Sequence, residues 1–150
     1  MAKLDLPAVT AAFGADPAIE REGAWCDLAV FLGEQATGWR ICLRSQHASR
    51  VRDAAIKQHR KYLALYQAKK VPPVDQTDAD FVELLATQIV VAWEGFRLRD
   101  GSELPCTPEN IRAVFTDYPE LLDYVKSWSD ERANYRATVV EAVVKTVAPN

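Results

Sequence analysis

The alternation of apolar and polar positions changes period along the chain, and each change predicts an element. Two β-prone runs, Ala24 to Leu32 and Thr37 to Leu43, are separated by the connection Gly33 to Gly38. In the second run Trp39, Ile41 and Leu43 alternate with Arg40, Cys42 and Arg44, which gives a strand one apolar face and one polar face. This stretch predicts a β-hairpin between about Ala24 and Arg44. From Ala48 the period lengthens. Val51, Ala55, Tyr62 and Leu63, widened by Ala54, Leu65 and Tyr66, mark a helical stripe that starts at a Ser49 cap and stops before Pro72 and Pro73. A further helix is predicted from Thr77 to Gly95, with Thr77 and Asp80 set as a capping box. Phe81, Leu84, Leu85, Gln88, Ile89, Ala92 and Phe96 line one face, while Val82, Val90, Val91 and Trp93 make it apolar nearly all round. Such a helix belongs at the centre of a fold.

After Gly95 the segment "FRLRDGSELPC" reads as two extended pieces about an Asp100-Gly101 turn. Gly95 and Gly101 are predicted to take backbone conformations that cost other residues. Thr107-Pro108-Glu109 combines an N-cap hydroxyl, a proline at the first helical position and an acid near the positive helix end. Asp117-Tyr118-Pro119-Glu120 repeats the arrangement. The last helix carries Leu121, Leu122, Val125 and Trp128 and is extended through Val140 and Val144. Residues 1–15 form either a short helix after Pro7 or a flexible arm, and 146–150 a frayed tail. The expected fold is a single domain over 1–150, mainly α with a small β-hairpin (α+β), with about four to five helices.

Composition narrows the class. With 49% hydrophobic and 26% charged residues the chain sits in the globular range, and no repeat or low-complexity segment interrupts it. The longest nearly apolar run, Ile89 to Trp93, is far shorter than the roughly 20 residues of a membrane span, and the N-terminus lacks a signal pattern. The expectation is a cytoplasmic protein without a membrane partner. Cys26, Cys42 and Cys106 have no ligand spacing, which argues against a disulfide framework or a zinc site. The net charge of -3 conceals an asymmetry: residues 44–70 hold eight bases and one acid, whereas 71–150 hold fourteen acids and seven bases. A basic segment therefore sits inside an acidic protein.

Catalytic patterns are missing from the sequence. There is no phosphate-cradling glycine loop, nucleophile elbow or paired metal ligand, so a non-enzymatic protein without metal or cofactor is expected. His47 and His59 read as surface or satisfied histidines. Asp78, Asp80 and Glu83 read as first-turn acids answering the helix dipole rather than as a metal cluster. The basic helix from Arg50 to Lys70 carries Arg52, Lys57, Arg60, Lys61, Lys69 and Lys70. It serves as a solvated face, as a protein-partner face or, against the acidic balance of the chain, as a nucleic-acid face. Trp93, Trp128, Tyr118 and Phe115 read as core more readily than as interface anchors.

Taken together, "EREGAWCDL", the glycine-linked hairpin running into "ICLRSQHASRVRDAAIKQHRKY", and "WEGFRLRDGSELPCTPENIRAVFTDYPELLDYV" resemble the tail assembly chaperones of long-tailed bacteriophages over roughly residues 20–128. The resemblance rests most on Trp93 with Gly95, the Asp100-Gly101 turn, Leu104-Pro105 and the Thr107/Glu109 helix start, which are structural rather than catalytic motifs. It implies a small, mainly helical protein that coats the tape measure protein and helps tail tube protein polymerise around it. Such a protein acts in the host cytoplasm and is absent from the finished virion; in many such phages a ribosomal frameshift makes a longer second product. On that reading Arg52, Lys57, Arg60, Lys61 and Trp93 are the partner-binding residues, with Gly95, Asp100 and Gly101 fixing the corner between helices. An apolar groove beside a charged rim would receive an amphipathic helix, and self-association is compatible with it. The alternative is a small regulatory protein that binds nucleic acid through the basic helix 50–70.

Overall fold

Asp16 accepts a hydrogen bond from Ala18 N, and Pro17 fills the first helical position, so a short helix α1 (Pro17–Glu22) begins there. The computed structural model describes residues 6–9 and 14–137. Most of the 1–15 arm, Val140, Val144 and the 146–150 tail lie outside the described residues, but the last helix, expected to run on through Val140 and Val144, already ends at Asp130, where the backbone turns extended at Glu131.

Gly23 turns the chain into β1 (Ala24–Asp27), which pairs antiparallel with β2 (Arg40–Leu43). The first predicted run is therefore only half strand: Ala29–Leu32 forms a helical turn, α2, because Asp27 Oδ1 takes the Ala29 amide at 3.0 Å and Gly33 closes the turn at φ 88°. A 3-10 turn (Glu34–Ala36) leads to β2. The apolar face of β2 is as predicted, with Ile41 and Leu43 fully buried, but the face expected to be polar is not solvated throughout, since Cys42 is buried too.

The helix expected from Thr77 to Gly95 divides into three pieces. Helix α5 (Val74–Leu84) starts after Pro73, a π-helical turn follows (Leu85–Ile89), and Val90–Glu94 is β3, antiparallel to β2. The sheet order is β1-β2-β3, so the hairpin gains a third strand. β-branched Val90 and Val91 favour the pleat, and pairing with β2 decides the conformation of a run whose apolar character suits either element. Thr77 lies inside α5 and donates to Val74 O instead of capping it.

The basic stretch is likewise broken. Helix α3 (Ser49–His59), capped by the Ala48 backbone rather than by Ser49, runs through a 3-10 turn (Arg60–Tyr62) into α4 (Leu63–Gln67). Helix α6 (Pro108–Asp117) starts at Thr107, whose hydroxyl accepts from Asn110 N. Helix α7 (Pro119–Asp130) has Tyr118 at its cap without a side-chain bond and stops at Asp130, ahead of a last 3-10 turn (Arg132–Tyr135). The core joins Cys26, Ile41 and Leu43 of the sheet to Leu85 and Ile89 of the π turn and to Phe115 and Val125 of α6 and α7. The result is a mainly α, α+β domain. Among the described residues no helix is long and apolar enough to cross a membrane.

Candidate functional site

The corner after β3 is fixed by backbone geometry. Trp93 is 6% exposed, and its Nε1 donates to Leu104 O at 2.7 Å. Leu104 N donates to Phe96 O at 2.7 Å, and Leu98 N to Ser102 O at 2.8 Å, so the two pieces predicted around the turn form a narrow loop with one bridge, Arg97 to Glu103. Asp100 Oδ1 accepts from the Ser102 amide (2.9 Å) and hydroxyl (2.5 Å). These bonds hold the Asp100 carboxyl below the usual range.

Gly95 (φ 82°) and Gly101 (φ 87°) both lie in the left-handed region. A Cβ on Gly95 would stand 2.5 Å from Gly38 O, whereas one on Gly101 would meet nothing within 4 Å. Close approach of two backbones therefore requires glycine at 95, while only the dihedral favours it at 101.

Above this corner opens an apolar groove of about 420 Å³. Phe96 forms its floor, stacked on Trp93 at 4.3 Å and on Trp39 at 5.3 Å. Phe31 and Leu32 of α2 make one wall, Leu98 and Leu104 of the loop a second, and Val114, Tyr118 and Leu121 at the α6–α7 junction a third. Among the described residues, Arg97 and Glu120 alone bring charge to it. Phe31 (43%), Leu98 (48%) and Tyr118 (61%) leave large apolar surface exposed around the opening. Phe31 is held by stacking on Tyr124, with ring centroids 4.4 Å apart. Trp93 thus lies behind the groove, supporting Phe96.

The basic residues lie elsewhere. Arg52, Lys57 and Arg60 are exposed, and none makes an ion pair among the described residues. Arg52 and Lys57 point about 140° apart around α3, since five residues advance the helix that far past one turn. Lys61 differs: its Nζ is 2.5 Å from Asp80 Oδ1, and the Tyr62 hydroxyl donates to Asp80 Oδ2. Burial pushes the Asp80 carboxyl up, but these two donors outweigh it and hold it below its ordinary range. Asp80 is thus a clamp between helices, not a first-turn acid. Glu83 has a similar role, taking both Arg112 Nε and Nη2 at 2.9 Å, which joins α5 to α6.

The segment Ser45–His47 stitches the sheet to the end of α7. Ser45 Oγ donates to the buried Glu20 at 2.8 Å, Gln46 Nε2 donates to Ser129 Oγ and Lys126 O, and His47 Nε2 lies 2.9 Å from Asp130 O and 3.3 Å from its carboxylate. His47 is thereby satisfied. Cys26 and Cys42 are buried thiols, pushed up by burial to about 12 and about 11. Among the described residues no group of three or more metal-ligating side chains forms.

Sequence reasoning passed over Phe31 and Leu32, which it assigned to a strand. The signal for α2 was present as Asp27 two residues ahead of Ala29 with Gly33 behind Leu32, an Asx turn and a glycine stop.

The chain belongs to the YdaY prophage protein family, whose model matches residues 45–146. It is therefore a phage-related protein. No curated protein matches it, and no solved structure does.

Proposed function

We propose that this prophage protein is a non-catalytic assembly factor, a tail assembly chaperone whose groove over Phe96 holds an amphipathic helix of the tape measure protein. The groove carries the reading. Large apolar side chains stand exposed around a concave floor, the arrangement that receives one face of a helix in groove-type recognition. The resemblance of the Trp93–Leu121 segment to tail assembly chaperones supports it. The charged exterior keeps the loaded chaperone dispersed in the host cytoplasm until tail tube protein displaces it, so it does not enter the virion. Many modest apolar contacts suit that reversible hold.

The test is co-expression with the tape measure protein of the same prophage and affinity capture. Wild type retains it, and a Phe31→Glu/Leu98→Glu variant, with both changes at exposed positions, loses it. Failure of wild type to retain the tape measure protein would sink the reading. The unpaired Arg52, Lys57 and Arg60 favour a second reading, nucleic-acid binding through α3 and the turn that follows it. Salt-sensitive retention of DNA fragments, lost when these three become Glu, would support that one instead.

A further inference from the structure

On the other side of α3 from Lys57 lies a cleft of about 440 Å³ between α3, α5 and α7, and it shares no lining residue with the apolar groove. We infer that it is a second docking site, built for an acidic protein segment carrying an apolar anchor.

The floor is Val51, Ala55, Phe81 and Leu84, and the rim carries Arg52, His59 and Lys126. Each rim group is exposed, and none forms an ion pair among the described residues. Lys126 reaches over the Phe81 ring, 5.4 Å from its centroid. Two acids flank Lys126 on α7 without pairing it: Asp123, and Asp130, which faces His47 instead. The acid in the cleft wall, Asp80, is already engaged by Lys61 and Tyr62. The cleft thus presents two unpaired fixed cations, Arg52 and Lys126, in a chain whose net charge is -3.

That combination selects its occupant. Cations spaced around an apolar floor complement a segment with Asp or Glu flanking a Leu or Phe, whose side chain the floor desolvates. A nucleic-acid backbone gains from the cations but not from Phe81 and Leu84, and the chain as a whole carries an excess of acids. Lys57 and Arg60 are absent from the lining, so the site does not need the whole basic helix. The proposal is independent of what fills the groove over Phe96.

A random peptide library panned against the full-length protein, with excess single-stranded oligonucleotide as competitor, tests this. Enriched peptides are expected to pair acids with a large apolar residue. A synthetic peptide of the enriched sequence should bind Arg52→Glu/Lys126→Glu at least about tenfold more weakly. It should also weaken as salt rises, and its Lys-for-Glu counterpart should recover binding to the double variant. Circular dichroism checks that the exposed changes leave the fold intact; Arg52→Gln/Lys126→Gln, which adds no acid, should show the same loss in smaller degree. Enrichment of neutral or basic peptides, binding indifferent to both variants, or displacement by the oligonucleotide would overturn the assignment.

Discussion

The groove over Phe96 and the cationic face of α3 are held in opposite ways. The groove depends on shape: Trp93, Phe96 and Trp39 stack, Gly95 lets two backbones touch, and main-chain bonds close the loop. The α3 face depends on charge and leans on a few side-chain links, chiefly Lys61 and Tyr62 to Asp80 and Gln58 Nε2 to Asp80 O. The difference teaches where tolerance lies. Substitutions in the groove corner act through folding, whereas exposed charges on α3 can be exchanged with little cost to stability, since isolated surface charges contribute about 0–1 kcal/mol.

The largest effect expected from a single change is Trp93→Ala, which removes the support of Phe96 and the bond to Leu104 O and should cost about 3–5 kcal/mol in urea denaturation. Gly95→Ala should follow at about 2–3 kcal/mol, because the added methyl meets Gly38 O as well as an unfavourable φ. Gly101→Ala, facing open space, should cost only about 1 kcal/mol. Equal losses at the two glycines would show that the 95–38 contact is not the constraint described. Asp80→Asn should weaken the α3–α5 link by less than the core change. Its pH signature is distinctive: the folded carboxyl lies below its ordinary value, so its contribution is present above the ordinary carboxylate range and is lost as pH falls through the lowered value. Wild type should therefore lose stability on acidification by more than Asp80→Asn does. The smallest effect is expected for Arg52→Gln, within about 0.5 kcal/mol of wild type in thermal melts.

Local chemistry was legible where it is self-contained. Thr107-Pro108 starts α6 in sequence and in structure because cap and proline act within one turn, and the positive φ at Gly101 follows from the Asp100-Gly101 turn; the positive φ at Gly95, expected as a helix stop, instead follows β3 where the backbone meets Gly38. The sheet was legible only in part. Val90–Trp93 is apolar at every position, and its pairing partner lies some fifty residues away at Arg40–Leu43, so period alone did not separate helix from strand. The groove escaped for the same reason: its walls come from α2, the 96–104 loop and the α6–α7 junction, three segments brought together only by tertiary packing. The basic residues were legible as a charge run. Their division into a clamped Lys61, an Arg52 at the cleft and outward Lys57 and Arg60 depends on how α3 is rotated against α5.

Hydrogen–deuterium exchange of the protein, alone and with the tape measure protein of its prophage, reads occupancy of the groove over Phe96 at its own backbone amides. Slowed exchange is expected at the amides of the 96–104 loop and the α6–α7 junction around Tyr118, with Phe31→Glu/Leu98→Glu abolishing it. Exchange unchanged across those segments in the presence of the tape measure protein, or slowed only along α3, would contradict occupancy of the groove.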